Sequence, residues 1–422
     1  MSKLDHWIAV KTGVREEPLQ REQVEQWQLE EMNRLLHWCR EHSRYYKNYP
    51  ESISSLEELQ TLPLLCAEDI VERGNEMVCV SQSDVNRVVT MQTSGTSGQS
   101  KRLYFTKDDQ QLTVDFFACG LSELNHPGDV AMVLMPGNRP GGMSALIQEA
   151  LRTLDVTPVG CDPHRPYWEI AQELVNNRVT TMVGAPAQLL SLGRFMKHYG
   201  IQHEVHSVLV SSDYLSETVR KGVEETLHCD LFDHYGITEG GLGFSIECEK
   251  HEGLHVREND VLVEIIDPKT GKRVPDGQWG ELVFTTLTRR AMPLIRYRTG
   301  DKTMFYRERC ACGSVVTRMH KVEGRYRQLE ERYCMSVLDE YIFRIPELID
   351  YQVSFDPKQK ELHFTMLLCK QTEDLSLSVR NLLKEILVEG DSVTIEPTYL
   401  SGIPDRTAKG YYQGKRTVIQ GV

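Results

Sequence analysis

Residues 93–101 read Thr-Ser-Gly-Thr-Ser-Gly-Gln-Ser-Lys, with hydroxyl side chains alternating with glycines and a lysine at the end. Glycine lets a backbone approach a ligand closely and reach positive φ. Hydroxyls add donors, and successive amide N–H groups form an anion-binding nest. With the Lys101 ammonium beside it, such a loop suits a triphosphate. Val85, Val88, Val89 and Met91 upstream and Leu103–Thr106 downstream read as strands. The loop therefore differs from the Gly-x4-Gly-Lys-Ser/Thr nucleotide loop, whose lysine opens a helix. A polar hairpin turn is the plain alternative.

Three other places concentrate side chains that do chemistry. Phe232–Gly241 holds Tyr235-Gly236-Ile237-Thr238-Glu239, on a turn after a strand ending near Asp233. Pro293–Asp301 closes with Tyr297-Arg298-Thr299-Gly300-Asp301. Cys310-Ala311-Cys312-Gly313 sits between two strand-like runs, and Cys248, His251 and His255 lie upstream. A structural zinc takes four thiolate or imidazole ligands in a tetrahedron. Cys248, Cys310, Cys312 and one of His251 or His255 would supply them and pin two hairpins together. A pair of ordinary loop thiols is the other reading.

These residues must be carried by a framework, and the pattern between 108 and 233 supplies one. Helical stretches at 108–121, 144–154, 168–176, 188–199 and 215–227 alternate with apolar strands at 129–135, 157–160, 180–184 and 207–213. Such alternation predicts βα units and a mostly parallel sheet, with ligands at the carboxyl ends of the strands. The loops at 136–142, 184–187 and 211–214 occupy those ends. Beyond residue 325, helices at 337–344 and 375–388 and strands at 350–355, 361–369 and 392–397 predict a small α+β module with an antiparallel core.

The chain has 422 residues, a formal net charge of −13, 40% hydrophobic and 26% charged residues. That balance fits a globular protein with ample core and argues against nucleic acid or an anionic membrane as partner. No apolar run approaches the roughly 18 residues that span a bilayer. The N-terminus lacks a signal-peptide core, so a cytoplasmic location is expected. Eleven cysteines, an odd number, argue against a disulfide framework.

Thr93 to Lys101 resembles, position for position, the phosphate loop of the adenylate-forming enzymes, the acyl-CoA synthetases and their relatives. The Tyr-Gly-x-Thr-Glu and Tyr-Arg-Thr-Gly-Asp runs follow in that family's order, and the long opening helix with its Tyr45-Tyr46 pair resembles the phenylacetate-CoA ligase branch. The resemblance implies an α/β protein. Its large N-terminal domain, residues 1–324, has mostly parallel sheets with flanking helices, and residues 325–422 form a small mobile α+β domain. It implies AMP-forming ligation of a carboxylic acid to coenzyme A, with ATP and Mg²⁺. Thr93, Ser94, Gly95, Thr96, Ser97, Gly98 and Lys101 would cradle phosphates. Tyr235 would lie against adenine, Thr238 on the α-phosphate, Glu239 on Mg²⁺ and Asp301 on the ribose hydroxyls. The nucleotide site would also take in Ser212, Asp213, Asp233, His234, Gly236 and Arg325.

Family members carry a Gly-Arg-x-Asp hinge; here Gly324-Arg325-Tyr326-Arg327 lacks the acid. The catalytic lysine near the C-terminus is Lys415 from its Gly-Lys context, or Lys409 from its distance to Pro404. Phe116, residues 136–142, Gly184, Ala185 and residues 211–214 would wall the acid pocket. Partners expected are a small carboxylic acid and, as an open alternative, a second copy in a homodimer. A carrier-protein ligase, an adenylylating synthetase and a nucleotide-binding regulator without turnover also remain open.

Overall fold

Val130–Leu134, Thr181–Gly184 and Ser207–Val210 are short, almost wholly apolar runs, the composition of strands covered on both faces. In the computed structural model, which describes residues 3–14, 18–92, 100–329, 331–412 and 416–420, all three are parallel neighbours. Ala131 pairs with Thr181 and Thr181 with Ser207. Thr157–Cys161 adds beyond the first and Asp230–Tyr235 beyond the last. The fold is α/β.

The chain divides into two compact units, each discontinuous: residues 1–123 with 234–326, and residues 124–233 with 327–422. The last of these boundaries lies beside the expected one at 324/325. The division also assigns 124–233 to the same unit as the C-terminal stretch.

In the second unit, helices Met143–Arg152, Tyr167–Asn176, Pro186–His198 and Glu217–Leu227 form the crossovers. Pro186 opens its helix at a position where the missing N–H costs nothing. Ser216 caps the next by accepting from the Val219 N–H at 3.2 Å. Their buried faces, among them Leu189, Leu192, Phe195, Val219 and Val223, share one core with Leu348, Tyr351, Phe364 and Val379. Ser191 donates to the Ile349 carbonyl at 2.7 Å, and Arg194 donates to the carbonyls of Phe343 and Leu348 at 2.6 Å each.

The C-terminal sheet has the expected antiparallel pair at its centre and, beyond what was expected, parallel strands at both edges. Leu348–Asp356 and Glu361–Leu368 are antiparallel, but Ser392–Tyr399 runs parallel to the second and Ile419–Gln420 parallel to the first. The cause is the helix Leu375–Leu383, which carries the chain back across the sheet before the next strand and so turns its neighbour parallel.

The first unit is built on antiparallel pairing. Arg87–Gln92 and Ser100–Phe105 form a hairpin, with Gln92 opposite Ser100. Val261–Ile266, Gly280–Thr286, Tyr297–Thr303 and Gly324–Arg325 form a four-stranded sheet. The end of Asp230–Tyr235 pairs with Ser245–Glu247, which pairs with Leu254–Val256, and that with Arg318–Met319. The long helix Arg21–His42 buries Met32, Leu35, Leu36 and Cys39 into this unit's core, beside Tyr46, Phe284 and Leu294.

Candidate functional site

The strand Asp230–Tyr235 delivers the Tyr-Gly-x-Thr-Glu turn. Gly236 is obligatory there, because a Cβ would sit 2.1 Å from the Leu242 carbonyl oxygen. Thr238–Gly240 then makes a single 3₁₀ turn, and Gly241 leaves it at φ +89°. The turn drives Glu239 inward until it is 2% exposed. Its Oε1 meets the Lys101 ammonium, and accepts from the Tyr297 phenol at 2.9 Å. Lys101 Nζ also donates to the Tyr297 oxygen at 3.1 Å. Burial by itself would raise the Glu239 carboxyl. The Lys101 charge and the hydrogen bonds from Lys101 and Tyr297 outweigh it and hold the group below the ordinary carboxylate range. Arg289 donates to the Glu239 carbonyl at 2.6 Å and fixes the backbone. Among the described residues, Glu239 Oε2 is buried and has no hydrogen-bond partner.

Next to this triad lies a second. The Tyr235 phenol donates to Asp301 Oδ2 at 2.5 Å, and Arg325 Nε lies 3.4 Å from Asp301 Oδ1. Burial first, and then the Asp301 charge, push the Tyr235 phenol far up, so it stays a protonated donor. Alternation along Tyr297–Thr303 turns Tyr297, Thr299 and Asp301 to one buried face. His234 is buried with Phe116 and Phe117, ring centroids 6.2 and 5.9 Å away. Burial and then the Arg257 charge depress it to about 4, so it is neutral at pH 7.

A buried lysine–carboxylate pair and a second carboxylate thus gather in one unit, on the Tyr-Gly-x-Thr-Glu and Tyr-Arg-Thr-Gly-Asp runs. The sequence pattern of one family, AMP-binding enzyme, matches residues 18–287. The chain belongs to the AMP-binding enzyme family.

Several known proteins resemble this AMP-binding enzyme. A phenylacetate-coenzyme A ligase of Thermus thermophilus is 30% identical over 327 residues, 73% of this chain and 72% of that one. A phenylacetate-coenzyme A ligase of Pseudomonas putida is 29% identical over 265 residues, 60% of this chain and 59% of that one. The match thus spans less than two thirds of the second relative. A 2-hydroxyisobutyryl-CoA ligase solved in the postadenylation state with 2-HIB-AMP has TM-score 0.74 at 17% identity, covering 92% of this chain and 88% of that one.

The structure of this AMP-binding enzyme brings Lys101, Tyr235, Glu239, Asp301 and Arg325 together with His234, Gly236 and Thr238 on the first unit. Ser212, Asp213 and Asp233 belong to the second. Ser212 is held at φ +77°, and Asp213 Oδ2 accepts from the Arg416 N–H at 3.0 Å. Asp233 is buried within the strand Asp230–Tyr235, which runs two residues past the expected end. Thr93, Ser94, Gly95, Thr96, Ser97, Gly98 and Lys415 lie outside the described residues. Lys409 is exposed. Its flanks are tied down, since Tyr167 N–H donates to the Ala408 carbonyl at 2.9 Å and Tyr411 N–H to Asp350 Oδ2 at 2.7 Å.

The cysteine cluster forms within the first unit. Ligand atoms of Cys248, His255, Cys310 and Cys312 all lie within 4.8 Å of one another. Cys248 and Cys310 Sγ are 3.7 Å apart, and Cys312 Sγ is 3.6 Å from His255 Nε2. Burial, and then the Arg318 charge, lower His255 to about 4, leaving a neutral imidazole that can ligate. Burial raises the Cys248 and Cys312 thiols above the ordinary range, while the Lys250 and Ser314 backbone amides act in the opposite sense. His251 stands outside the cluster, its Nδ1 3.2 Å from Glu247 Oε2.

Sequence reasoning passed over Tyr297 and Arg289. Tyr297 had a signal, since it opens the Tyr-Arg-Thr-Gly-Asp run two strand positions from Thr299 and four from Asp301. Arg289 had none, because its partner is a main-chain carbonyl fifty positions away.

Proposed function

We propose that this AMP-binding enzyme joins a small aryl-acetic or medium acyl carboxylic acid to coenzyme A. The acid's carboxylate oxygen attacks the α-phosphorus of ATP, forming acyl-adenylate and releasing pyrophosphate. The thiol sulfur of coenzyme A then attacks the acyl carbon, and AMP leaves as the thioester forms. The observation that carries the reading is the buried Glu239, one oxygen on Lys101 and Tyr297 and the other open, beside the Tyr235–Asp301 pair.

The roles divide by chemistry. The 93–98 loop and Lys101 hold the triphosphate, Thr238 the α-phosphate, Asp301 the ribose hydroxyls, and Tyr235 the adenine face. Glu239 fits Mg²⁺, a hard cation that takes a carboxylate plus phosphate oxygens, through the unpartnered Oε2. When bound there, the ion would supply charge neutralisation to the phosphates. In adenylation Lys415, or in its place Lys409, brings an ammonium to the reacting oxygens, acting by position and charge. A reorientation of residues 325–422 about Gly324-Arg325 between the two half-reactions, as the resemblance implies, would have to open the core that 327–422 shares with 124–233. The relatives named for phenylacetate favour an aryl-acetic acid.

We also assign a structural zinc to Cys248, His255, Cys310 and Cys312, with the soft N/S donor set that Zn²⁺ prefers. Its test is a zinc ion in purified protein that is lost in Cys310→Ser. All eleven cysteines are free, which supports a cytoplasmic setting, and among the described residues no helix is long and apolar enough to cross a membrane.

The function is tested by pyrophosphate release from ATP across a panel of aryl-acetic, benzoic and fatty acids, followed by thioester formation on adding coenzyme A. Release with an arylacetate and coupling to coenzyme A is expected. ATP binding without release for any acid would favour a regulator without turnover.

A further inference from the structure

At the amino-terminal ends of the parallel strands, opposite to the end where ligands bind, three metal-type side chains converge. His126 and Asp129 come from the loop before Val130–Leu134, and His206 immediately precedes Ser207–Val210. One ligand atom of each lies within 4.8 Å of the other two. His206 Nε2 is 3.2 Å from Asp129 Oδ1, and His126 Nδ1 is 3.7 Å from Asp129 Oδ2.

We propose that His126, Asp129 and His206 form a transition-metal site that takes Zn²⁺, separate from the cysteine cluster. Three lines of geometry carry it. The donor set, two imidazoles and one carboxylate, is one that Zn²⁺ takes in open sites, with water completing the shell. Ligand atoms around a tetrahedral Zn²⁺ at ~2.0–2.1 Å stand about 3.3 Å apart, close to the 3.2 Å found between His206 and Asp129. His126 needs only a small inward swing of a ring that is 80% exposed.

The ligands are also held from behind, as metal ligands are. His206 Nδ1 lies 3.0 Å from Ser207 Oγ, which orients the ring and leaves Nε2 to face the site. Asp129 accepts from the Thr180 hydroxyl at 2.9 Å and from the His126 N–H at 2.7 Å. Thr180 is itself fixed, its hydroxyl accepting from the Val130 N–H at 3.0 Å. The carboxylate is thus set by main chain and threonine before any ion arrives. The bare His206–Asp129 contact uses one imidazole and explains neither the second nor its place. An ion here would tie the 126–129 loop to the start of a strand nearly eighty positions on.

The test is equilibrium dialysis of the intact protein against Zn²⁺, with metal counted per chain. Wild type should bind one ion more than His126→Ala and one more than His206→Ala. Both substitutions are at partly or largely exposed rings, and unchanged circular dichroism without added metal checks their fold. In Co²⁺-loaded protein the ion lost in these variants should lack a sulfur-to-metal charge-transfer band, which the cysteine cluster would show. Ser207→Ala should weaken the extra ion roughly tenfold, the usual effect of removing a group that orients a ligand. Equal uptake by wild type and both histidine variants overturns the proposal, as does an extra ion lost only in Cys310→Ser.

Discussion

Replacing Glu239 by Gln keeps the shape of the side chain and removes its charge. Lys101 is 7% exposed and Glu239 2% exposed, so the substitution leaves an ammonium buried without its counter-charge. Breaking a buried pair this way costs about 3–5 kcal/mol. The glutamine carbonyl still accepts from Lys101 and Tyr297, which puts the expected loss near 3 kcal/mol. For a unit of roughly two hundred residues that is a fall of about 6–12 °C in melting temperature. The chemistry should suffer separately, because the oxygen offered to Mg²⁺ loses its charge. Loss of one preorganised electrostatic partner costs about 10²–10³ in rate. The double variant Lys101→Met, Glu239→Gln separates the two effects. With neither charge buried, its melting temperature should return toward wild type while ATP–pyrophosphate exchange stays depressed. Differential scanning calorimetry and the exchange assay read both. A Glu239→Gln protein that melts lower but exchanges at the wild-type rate would show the carboxylate to be structural only. One that neither melts lower nor loses exchange would refute the buried-pair argument as well.

Two other outcomes are expected. Lys415→Ala should block acyl-adenylate formation yet still convert supplied acyl-adenylate and coenzyme A to thioester, because its charge helps only while phosphate charge is rearranged; Lys409→Ala should leave both steps intact. Reversal of the two phenotypes would make Lys409 the catalytic lysine. His234 supplies a pH dependence. Its folded value of about 4 lies below the ordinary ~6.5 of histidine, so the unfolded chain binds the extra proton. The stabilisation is full above pH ~6.5 and is lost as pH falls toward about 4, an effect of about 3 kcal/mol. Urea midpoints for wild type should decline across that window, and His234→Gln should flatten the slope; parallel declines would exclude His234 as the source.

The motifs were legible because each is local. Tyr235–Glu239 needs a strand end and a tight turn, and both are written in consecutive residues. Tyr297, Thr299 and Asp301 share a face by simple alternation. The Lys101–Glu239 contact was not legible, since 138 positions separate the partners and they sit on a separate hairpin and on a 3₁₀ turn, which only tertiary packing brings together. The choice between His251 and His255 was hidden for the same reason. His255 is paired in register with Arg318, which puts it opposite the strand that follows Cys310 and Cys312; no spacing rule within 248–255 contains that information. The parallel strands of the C-terminal sheet escaped because apolar alternation marks a strand without stating which way its neighbour runs.

The discontinuous units bear on how this protein is made. Residues 1–123 cannot complete their core until 234–326 have been synthesised. The intervening stretch takes roughly 6–20 s at ~5–20 residues per second. Through that delay the apolar faces of Arg21–His42 and Ser100–Phe105 lack Phe284 and Leu294, the side chains that cover them in the finished core. The nascent N-terminal third is therefore the stretch with most need of a chaperone. Codon changes that slow translation between 124 and 233 should lower the yield of folded enzyme without altering a single residue of it.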